Sequence, residues 1–358
     1  MSVAAFMEEN FKHFNARETL DASRAWVEFL AKGNKMFLSM AGAMSTGEIG
    51  ISLAKMIREG KVHAISCTGA NLEEDVFNLV AHNQYKMVPH YRDLSPEEEQ
   101  NLLDQGFNRV TDTCIPEDVM TSVDEKLVQY WQEADQKGES HLPSEYFFRL
   151  VKDGVLDELR QIPREHSWVI AAYEMGVPIY TPGWEDSTEG NSFAAEVIAG
   201  SLKSHHAVKH GTEQFEHLIH WYIENSRDCE IGFFQIGGGI AGDFAICCVP
   251  SIIQDLPIAE EGKPLEKRLV KDPDHPCKLW GYFCQIGDST TSYGSYSGAE
   301  PNEKITWSKL DVASPKFMIN SDASIVAPLV FQYVLERSAE SVKNMKKAKE
   351  KQKTLVRV

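Results

Sequence analysis

The sequence lacks the patterns that mark several common protein classes. It contains no stretch of about 20 apolar residues, so we expect no membrane-spanning helix. Its first residues mix acidic and basic side chains, unlike a secretory signal. The net charge of −17 argues against nucleic acid or an anionic membrane as the main partner. With 42% hydrophobic and 25% charged residues, the composition is that of an ordinary globular chain.

The patterns of the usual metal and nucleophile sites are also missing. The chain has 7 cysteines, an odd number, and no pair has the CxxC spacing of a metal site. Free thiols in a reducing compartment are the simplest interpretation, so we expect a cytoplasmic protein. Five histidines between positions 205 and 220 suggest a metal cluster, but neither HExxH nor an accompanying acid or cysteine completes one. We therefore predict no metal, and without GxSxG a Ser-His-Asp triad has no support.

Strand and helix patterns alternate along most of the chain. The apolar run Lys35–Met40 predicts a strand, and a helix pattern from Ile49 to Glu59 ends at Gly60. A second strand (62–67) and a second helix (72–82) repeat this order. The alternation predicts an α/β fold with a parallel sheet flanked by helices.

Four segments of the chain differ in composition. We predict an N-terminal helical arm (1–35), a single large domain (36–342) and a basic tail (343–358). Within the domain, residues 94–165 are polar and mostly helical in pattern, so we interpret them as an insertion. Further strands are predicted at 230–236, 279–286 and 316–319, and a helix at 324–342.

Small residues follow the predicted strands at three places. IGGGIAG (236–242) contains Gly237, Gly238 and Gly239, which would let backbone amides approach a phosphate closely. It lies late in the chain, unlike the standard Rossmann arrangement, so a nucleotide site and an ordinary turn both stay open. In SCTGANLEED (66–75), the acids would complement a helix dipole or hold a ribose hydroxyl or an amine. PGWEDSTEGN (182–191) is either a plain turn or a ligand loop.

One lysine lies in an unusual context. The segment GSYSGAEPNEKITWSKLDV (294–312) places Lys309 two residues after Trp307. Partial desolvation beside a tryptophan favours the neutral amine that imine formation requires. A surface lysine at the end of a strand is the alternative.

Taken in order along the chain, these segments together with NSDASIVAPL resemble the deoxyhypusine synthases. The likeness runs from about Met36 to Val342 and is most specific from Gly294 to Leu329. It implies a Rossmann-like parallel sheet, NAD as cofactor, and a homotetramer with active sites between paired subunits. These enzymes dehydrogenate spermidine and release diaminopropane. They carry the aminobutyl group as an imine on a lysine and pass it to a lysine of a translation factor, after which NADH reduces the new imine. The related homospermidine synthases use putrescine as acceptor.

The resemblance assigns roles to individual residues. The imine-forming lysine falls on Lys309, the tryptophan that walls the amine site on Trp307, and an amine-site acid on Glu303. The implied NAD contacts fall on Thr68, Glu74, Asp186, Gly237, Gly238, Gly239, Ser297 and Asp322.

The departures from the family pattern are concentrated in the amine pocket. By the resemblance, Asp243 stands where the family has a histidine that takes the amine's proton, so we predict a catalytic role for Asp243, as a new base or as a counter-ion. Asn191 and Tyr296 replace two aspartates that bind ammonium groups, and Gln285 replaces a tyrosine. Because a buried ammonium needs a paired charge, spermidine should bind weakly unless other acids compensate.

These observations predict an NAD-dependent transferase of altered substrate. It would move an aminoalkyl group from a polyamine through an imine on Lys309 to an amine acceptor. The substrate would be a small cationic amine, and the acceptor could be a protein lysine. Two alternatives stay open: a true deoxyhypusine synthase that uses spermidine and a translation-factor lysine, and a non-catalytic NAD-binding oligomer.

Overall fold

The computed structural model describes the backbone of residues 1–355 and most of their side chains. The side chains of residues 120–122 and 340–358 are outside the described part, as are residues 356–358 altogether. The predicted basic tail (343–358) is therefore described only as helix backbone up to Leu355.

A six-stranded parallel sheet forms the centre of the fold, which confirms the predicted α/β class. Its strands are β1 (Lys35–Met40), β2 (Ala64–Cys67), β6 (Ile179–Tyr180), β7 (Ile231–Ile236), β8 (Trp280–Gly287) and β9 (Lys316–Asn320). Their order is β6-β2-β1-β7-β8-β9, with every neighbouring pair parallel. The chain builds one half of the sheet outward from β1 and then returns to start the other half at β7. Ligands of open α/β sheets bind at such a switch point, beyond the carboxyl ends of the strands.

Helices cover both faces of this sheet. In chain order they are α1 (Val3–Asn10), α2 (Phe14–Ala31), α3 (Gly50–Arg58), α4 (Gly69–Ala81), α5 (Pro96–Asp104), α6 (Thr121–Lys137), α7 (Pro143–Lys152), α8 (Val155–Leu159), α9 (Trp168–Met175), α10 (Thr188–Ala199), α11 (Gly211–Asn225), α12 (Gly239–Ile246), α13 (Cys248–Pro250), α14 (Leu256–Ala259), α15 (Glu303–Thr306) and α16 (Ala323–Leu355).

The central strands bury opposite faces in two hydrophobic clusters. Phe37, Phe233 and Phe283 form a stacked aromatic row across β1, β7 and β8, with ring centroids 5.6 and 6.1 Å apart. Leu38 and Phe234 point to the other face, as the two-residue period of a strand requires. Both faces of a parallel sheet are covered, so these strands are mostly apolar.

The N-terminal segment, predicted as a helical arm (1–35), forms two helices that pack on the rest of the fold. Helix α2 begins at Phe14, earlier than its apolar pattern suggests, and places Trp26 fully buried against Phe234 with ring centroids 4.6 Å apart. Helix α1 packs along α16, where the hydroxyl of Tyr333 donates to Glu8 at 2.8 Å. The buried aromatic face of α2 explains why this segment joins the fold.

The segment 94–165 contains strands as well as the expected helices. Strands β4 (Phe107–Val110) and β5 (Thr113–Pro116) pair antiparallel, and β3 (Lys86–Met87) joins β5 to complete a small three-stranded sheet. These strands are too short to show an alternating pattern. The segment after it is helix α9, whose N-terminus is capped by the hydroxyl of Ser167.

A continuous helical stretch runs from Gly239 to Ala259. By length and by its mean hydropathy of 1.3, this stretch could cross a membrane, although we predicted no membrane-spanning helix from the sequence. Helices that pack in a protein core have the same length and composition. This stretch begins at the carboxyl edge of the sheet and contacts β1 and β2 through α12.

Candidate active site

The glycine turn after β7 lies at the switch point of the sheet. Gly237 and Gly239 have φ values of +74° and +67°, a region that favours glycine. A Cβ on Gly238 would lie 1.6 Å from the Oγ of Ser297, so only glycine fits at this position. A Cβ on Gly239 would meet nothing within 4 Å, so this side of the turn is open. The structure therefore brings Ser297 onto the predicted glycine turn and leaves room for a ligand beside it.

The other predicted cofactor residues follow strands at the same edge. Thr68 follows β2 and caps α4, accepting from the amide of Asn71 at 3.3 Å. Glu74 is buried and accepts a hydrogen bond from the Thr46 hydroxyl, and burial raises the pKa of its carboxyl group. Asp186 follows β6 and is exposed, and Asp322 follows β9 and accepts from the amide of Ser324 at 2.8 Å. These residues share an edge of the sheet but have separate partners.

Two acids of the segment 66–75 cap helices. Glu73 accepts from the amides of Thr188 and Glu189, both at 3.0 Å, at the N-terminus of α10. Asp75 accepts from the amides of Trp168 and Val169 at the N-terminus of α9. Burial raises the pKa of Asp75 to about 6 despite these hydrogen bonds. Glu73 and Asp75 therefore complement the dipoles of α10 and α9, and not that of α4, the helix in which they lie.

The buried amine of Lys309 meets the half-exposed carboxylate of Asp243. Lys309 is only 7% exposed, and its Nζ lies 3.7 Å from Oδ1 of Asp243. The backbone of Lys309 is fixed on both sides, since its carbonyl accepts from Trp280 and its amide donates to the carbonyl of Lys304. Asp243 lies in α12, which begins at Gly239, so one short helix connects this lysine to the glycine turn. A buried primary amine beside a carboxylate has the composition needed for imine formation and proton transfer.

The two predicted amine-site residues lie at the rim. The Nζ of Lys309 is 5.8 Å from the ring centre of Trp307, but this tryptophan is 66% exposed and covers only the outer side of the lysine. Glu303 is exposed, and its carboxylate accepts from the amide of Glu300 at 3.3 Å.

Sequence reasoning missed two residues of this pocket. Cys247 lies one helical turn after Asp243, with its Sγ 3.6 Å from the same Oδ1, and burial raises the pKa of its thiol. The i, i+4 spacing from Asp243 could have indicated it. Lys304 is 3% exposed, and its Nζ lies 5.1 Å from the ring centre of Tyr296, which Lys309 also approaches at 5.6 Å. No local pattern distinguishes Lys304 from a surface lysine.

Neutral polar groups line the inner part of the pocket. The hydroxyl of Tyr296 donates to Oε1 of Gln235 at 2.8 Å, and Gln285 donates from Nε2 to the carbonyl of Ser297 at 2.8 Å. Gln285 is 1% exposed, yet its Oε1 has no hydrogen-bond partner among the described residues. An unpaired buried acceptor is unfavourable, so this oxygen marks a place where a ligand donor would be stabilising.

The histidines do not assemble a metal site. Within the described part of the chain, no group of three or more His, Cys, Asp or Glu side chains is placed to hold a metal ion.

Comparisons with known proteins agree with the resemblance. The model of the family described as deoxyhypusine synthase matches residues 6–334. A deoxyhypusine synthase-like protein from Nostoc sp. is 27% identical over 348 residues, which cover 94% of this chain and 82% of the relative. A protein from Archaeoglobus fulgidus named "Probable deoxyhypusine synthase 2" is 24% identical over 318 residues, covering 88% of this chain and 92% of its own. A crystal structure assigned to a deoxyhypusine synthase from Entamoeba histolytica has the same fold, with a TM-score of 0.52, 12% identity, and coverage of 89% and 87% of the two chains. The chain belongs to the deoxyhypusine synthase family.

Proposed function

We propose that this protein is an NAD-dependent transferase that carries an aminoalkyl group as an imine on Lys309 and passes it to an amine acceptor. The observation that carries the proposal is the burial of Lys309 with its Nζ 3.7 Å from Asp243. A lysine buried beside a carboxylate at the switch point of an α/β sheet is either a catalytic group or part of a structural ion pair. The family membership favours chemistry.

The residues at the glycine turn suit a dinucleotide. Gly237 to Gly239 would hold its pyrophosphate at the N-terminus of α12, since the open side of Gly239 leaves the backbone accessible. Glu74, Asp186 and Asp322 would bind hydroxyl groups from the same edge of the sheet. When bound, NAD supplies a two-electron acceptor for oxidation of an amine carbon.

The chain's own residues would perform the rest of the chemistry. The amine of Lys309 would attack the oxidised carbon of the donor and displace the leaving amine, which departs with a proton. Asp243 is the nearest acid to Nζ and would take and return protons at that atom. The acceptor amine would then attack the Lys309 imine and free the lysine, and the new imine on the acceptor would be reduced with the hydride that the donor gave up to NAD.

A second copy of the chain would complete the site. Trp307 and Ile240 are 66% and 54% exposed beside Lys309 and the glycine turn. Large apolar side chains exposed next to a site favour a protein partner there. We infer a homo-oligomer, a tetramer by the family resemblance, with this edge as the subunit contact.

Borohydride trapping tests the proposal. The full-length protein would be incubated with NAD and single amines, reduced, and digested for mass spectrometry. We expect an adduct on Lys309 whose mass gives the transferred group, and none in Lys309→Arg, which keeps the charge but forms no imine. Lys316→Arg is the matched control, because the ammonium of Lys316 donates to the backbone carbonyls of Asp311, Val312 and Ser314. An unmodified Lys309 with every amine tested, while NAD still binds, would favour the non-catalytic NAD-binding oligomer.

Labelled spermidine separates the two enzymatic alternatives. Transfer of label to the translation-factor lysine would identify a true deoxyhypusine synthase. Label transfer only to a small amine would identify a transferase of altered substrate, in agreement with Asn191 and Tyr296 at the expected ammonium-binding positions.

A further inference from the structure

A cleft with a volume of about 880 Å³ lies near the amino ends of β7 and β8. One wall is the end of α11, with Ile223 and Arg227, and the other is the segment from Leu269 to Lys278 that leads into β8. Because β7 and β8 are parallel, this cleft lies at the opposite edge of the sheet from the glycine turn, which follows β7. We call it the basic cleft. Its volume is typical of a site for a small molecule.

The lining of the basic cleft is positively charged in a protein that is acidic as a whole. Arg227, Lys271 and Lys278 line it, and Asp272 is the single acid among its described lining residues. Oδ1 of Asp272 already accepts two backbone amides of its own turn, at 3.1 and 3.2 Å. The net charge of the chain is −17, so three cations facing one carboxylate form a local field of the opposite sign. Such a field attracts an anion.

The cations of the basic cleft have donors to spare. Within the part of the chain that the structure describes, the side chains of Arg227 and Lys278 form no hydrogen bond or ion pair. The ammonium of Lys271 donates to the carbonyl of Glu266 at 2.7 Å, which uses one of its three N–H groups. The guanidinium fork matches the oxygens of a phosphate or carboxylate group. These donors can therefore bind an oxyanion without breaking an existing ion pair.

Apolar side chains form the floor of the basic cleft. Ile223 and Val270 are buried in the hydrophobic cluster on this face of the sheet, and Leu269 and Cys277 pack against it. All four also line the cleft. A small inorganic anion would leave this floor in water, whereas an anion with an apolar body would cover it and bind more tightly.

Hydrogen bonds hold the two walls in place. The hydroxyl of Tyr222 in α11 donates to the carbonyl of Lys278 at 2.9 Å, which joins the two walls directly. Oε1 of Glu260 accepts from the amide of Leu269 at 2.8 Å and fixes the start of the second wall. A ligand would not have to order these segments when it binds, so little affinity is lost to conformational entropy.

We propose that the basic cleft binds a small organic phosphate, with the phosphate group at Arg227 and Lys278 and the apolar body on Ile223 and Val270. A phosphate dianion suits a lining that carries more cations than acids better than a single carboxylate does. This inference goes beyond the proposed function and depends neither on Lys309 nor on NAD.

Calorimetric titration of the full-length protein tests it. We expect phenyl phosphate to bind about tenfold or more tightly than inorganic phosphate, which lacks the ring, and than benzoate, which carries one charge. Arg227→Gln and Lys278→Gln should each weaken phenyl phosphate binding by about tenfold, since each removes a charge-assisted hydrogen bond. Lys267→Gln is the matched control, because Lys267 is exposed in the same connection but does not line the cleft. All three variants should unfold at the urea concentration of the wild type.

The outcomes separate this inference from the proposed function. Absence of phenyl phosphate binding, or equal affinity in Arg227→Gln, Lys278→Gln and the wild type, would overturn it. Loss of phenyl phosphate when NAD is added, with both variants unaffected, would place the phosphate at the glycine turn and also overturn it. Binding of hexaglutamate in place of phenyl phosphate would make the cleft a docking surface for an acidic protein and overturn the small-molecule site. Lys309→Arg should bind phenyl phosphate like the wild type, whatever the borohydride experiment gives.

Discussion

Replacing Gly238 by alanine tests whether the glycine turn is built around contact with Ser297. The new Cβ would lie 1.6 Å from Oγ, 2.6 Å from Cβ and 3.2 Å from Cα of Ser297. Rotating the serine side chain relieves only the first of these contacts, so the loop that carries Ser297 must move. Overpacking of this kind costs about 1–3 kcal/mol. We expect Gly238→Ala to lower the free energy of unfolding in urea by that amount and to weaken NAD binding by at least about tenfold.

Two further variants isolate the cause. Ser297→Gly in the Gly238→Ala background removes Oγ and Cβ of Ser297, the two atoms closest to the new Cβ. It should therefore restore most of the lost free energy of unfolding, since the effects of two residues in contact are not additive. Gly211→Ala is the control, because a Cβ there meets nothing within 4 Å and its φ is not positive. If Gly238→Ala unfolds at the same urea concentration as the wild type and binds NAD equally well, the proposed turn geometry is wrong.

Two other predictions concern stability. Glu189 is fully buried, and desolvation, followed by the nearby carboxylates of Asp124 and Glu73, raises its pKa well above the usual value, so it holds its proton in the fold more tightly than in the unfolded chain. As pH rises above the pKa of this carboxyl group in the unfolded chain, the wild type should therefore lose stability relative to Glu189→Gln. At neutral pH, urea unfolding should give the variant a free energy of unfolding about 1–3 kcal/mol higher than that of the wild type. A wild type that becomes more stable relative to the variant as pH rises would contradict this prediction. Trp26→Ala should lower the free energy of unfolding by about 3–5 kcal/mol, because Trp26 is fully buried between the sheet and α16. Trp307→Ala at the exposed rim should change this free energy by less than about 0.5 kcal/mol. Equal losses in thermal unfolding would refute this assignment of the core.

The fold class could be predicted from the sequence, because short apolar runs such as Lys35–Met40 are typical of strands that are buried on both faces of a parallel sheet. The small sheet of β3, β4 and β5 escaped prediction, since two- and four-residue strands carry too few positions to show a period. Only the family resemblance placed Lys309 and Asp243 at the same site, because a contact between distant segments leaves no local pattern in the sequence. The burial of Lys304 could not be anticipated at all, since it results from how α15 packs against β8 and Tyr296.

The assignment of the site residues stays a prediction. Ser297 lies against Gly238 and Lys309 against Asp243, whereas Asp186 and Asp322 share only the edge of the sheet. A single subunit brings Lys309 and Asp243 together on its own. In the proposed oligomer, a partner subunit would have to complete the rim, where Trp307 is exposed.

The pairing of β1 with β7 has a consequence for folding kinetics. Lys35 at the start of β1 pairs with Ile231 at the start of β7. A loop of more than half of the chain must therefore close before the glycine turn contacts Ala41. Such long-range closure is slow and comes late in folding. A ligand at this turn has nothing to bind until the last pairing is made. The ligand should therefore leave the refolding rate unchanged and lower the unfolding rate. The time for which the ligand stays bound then indicates how long the folded state persists.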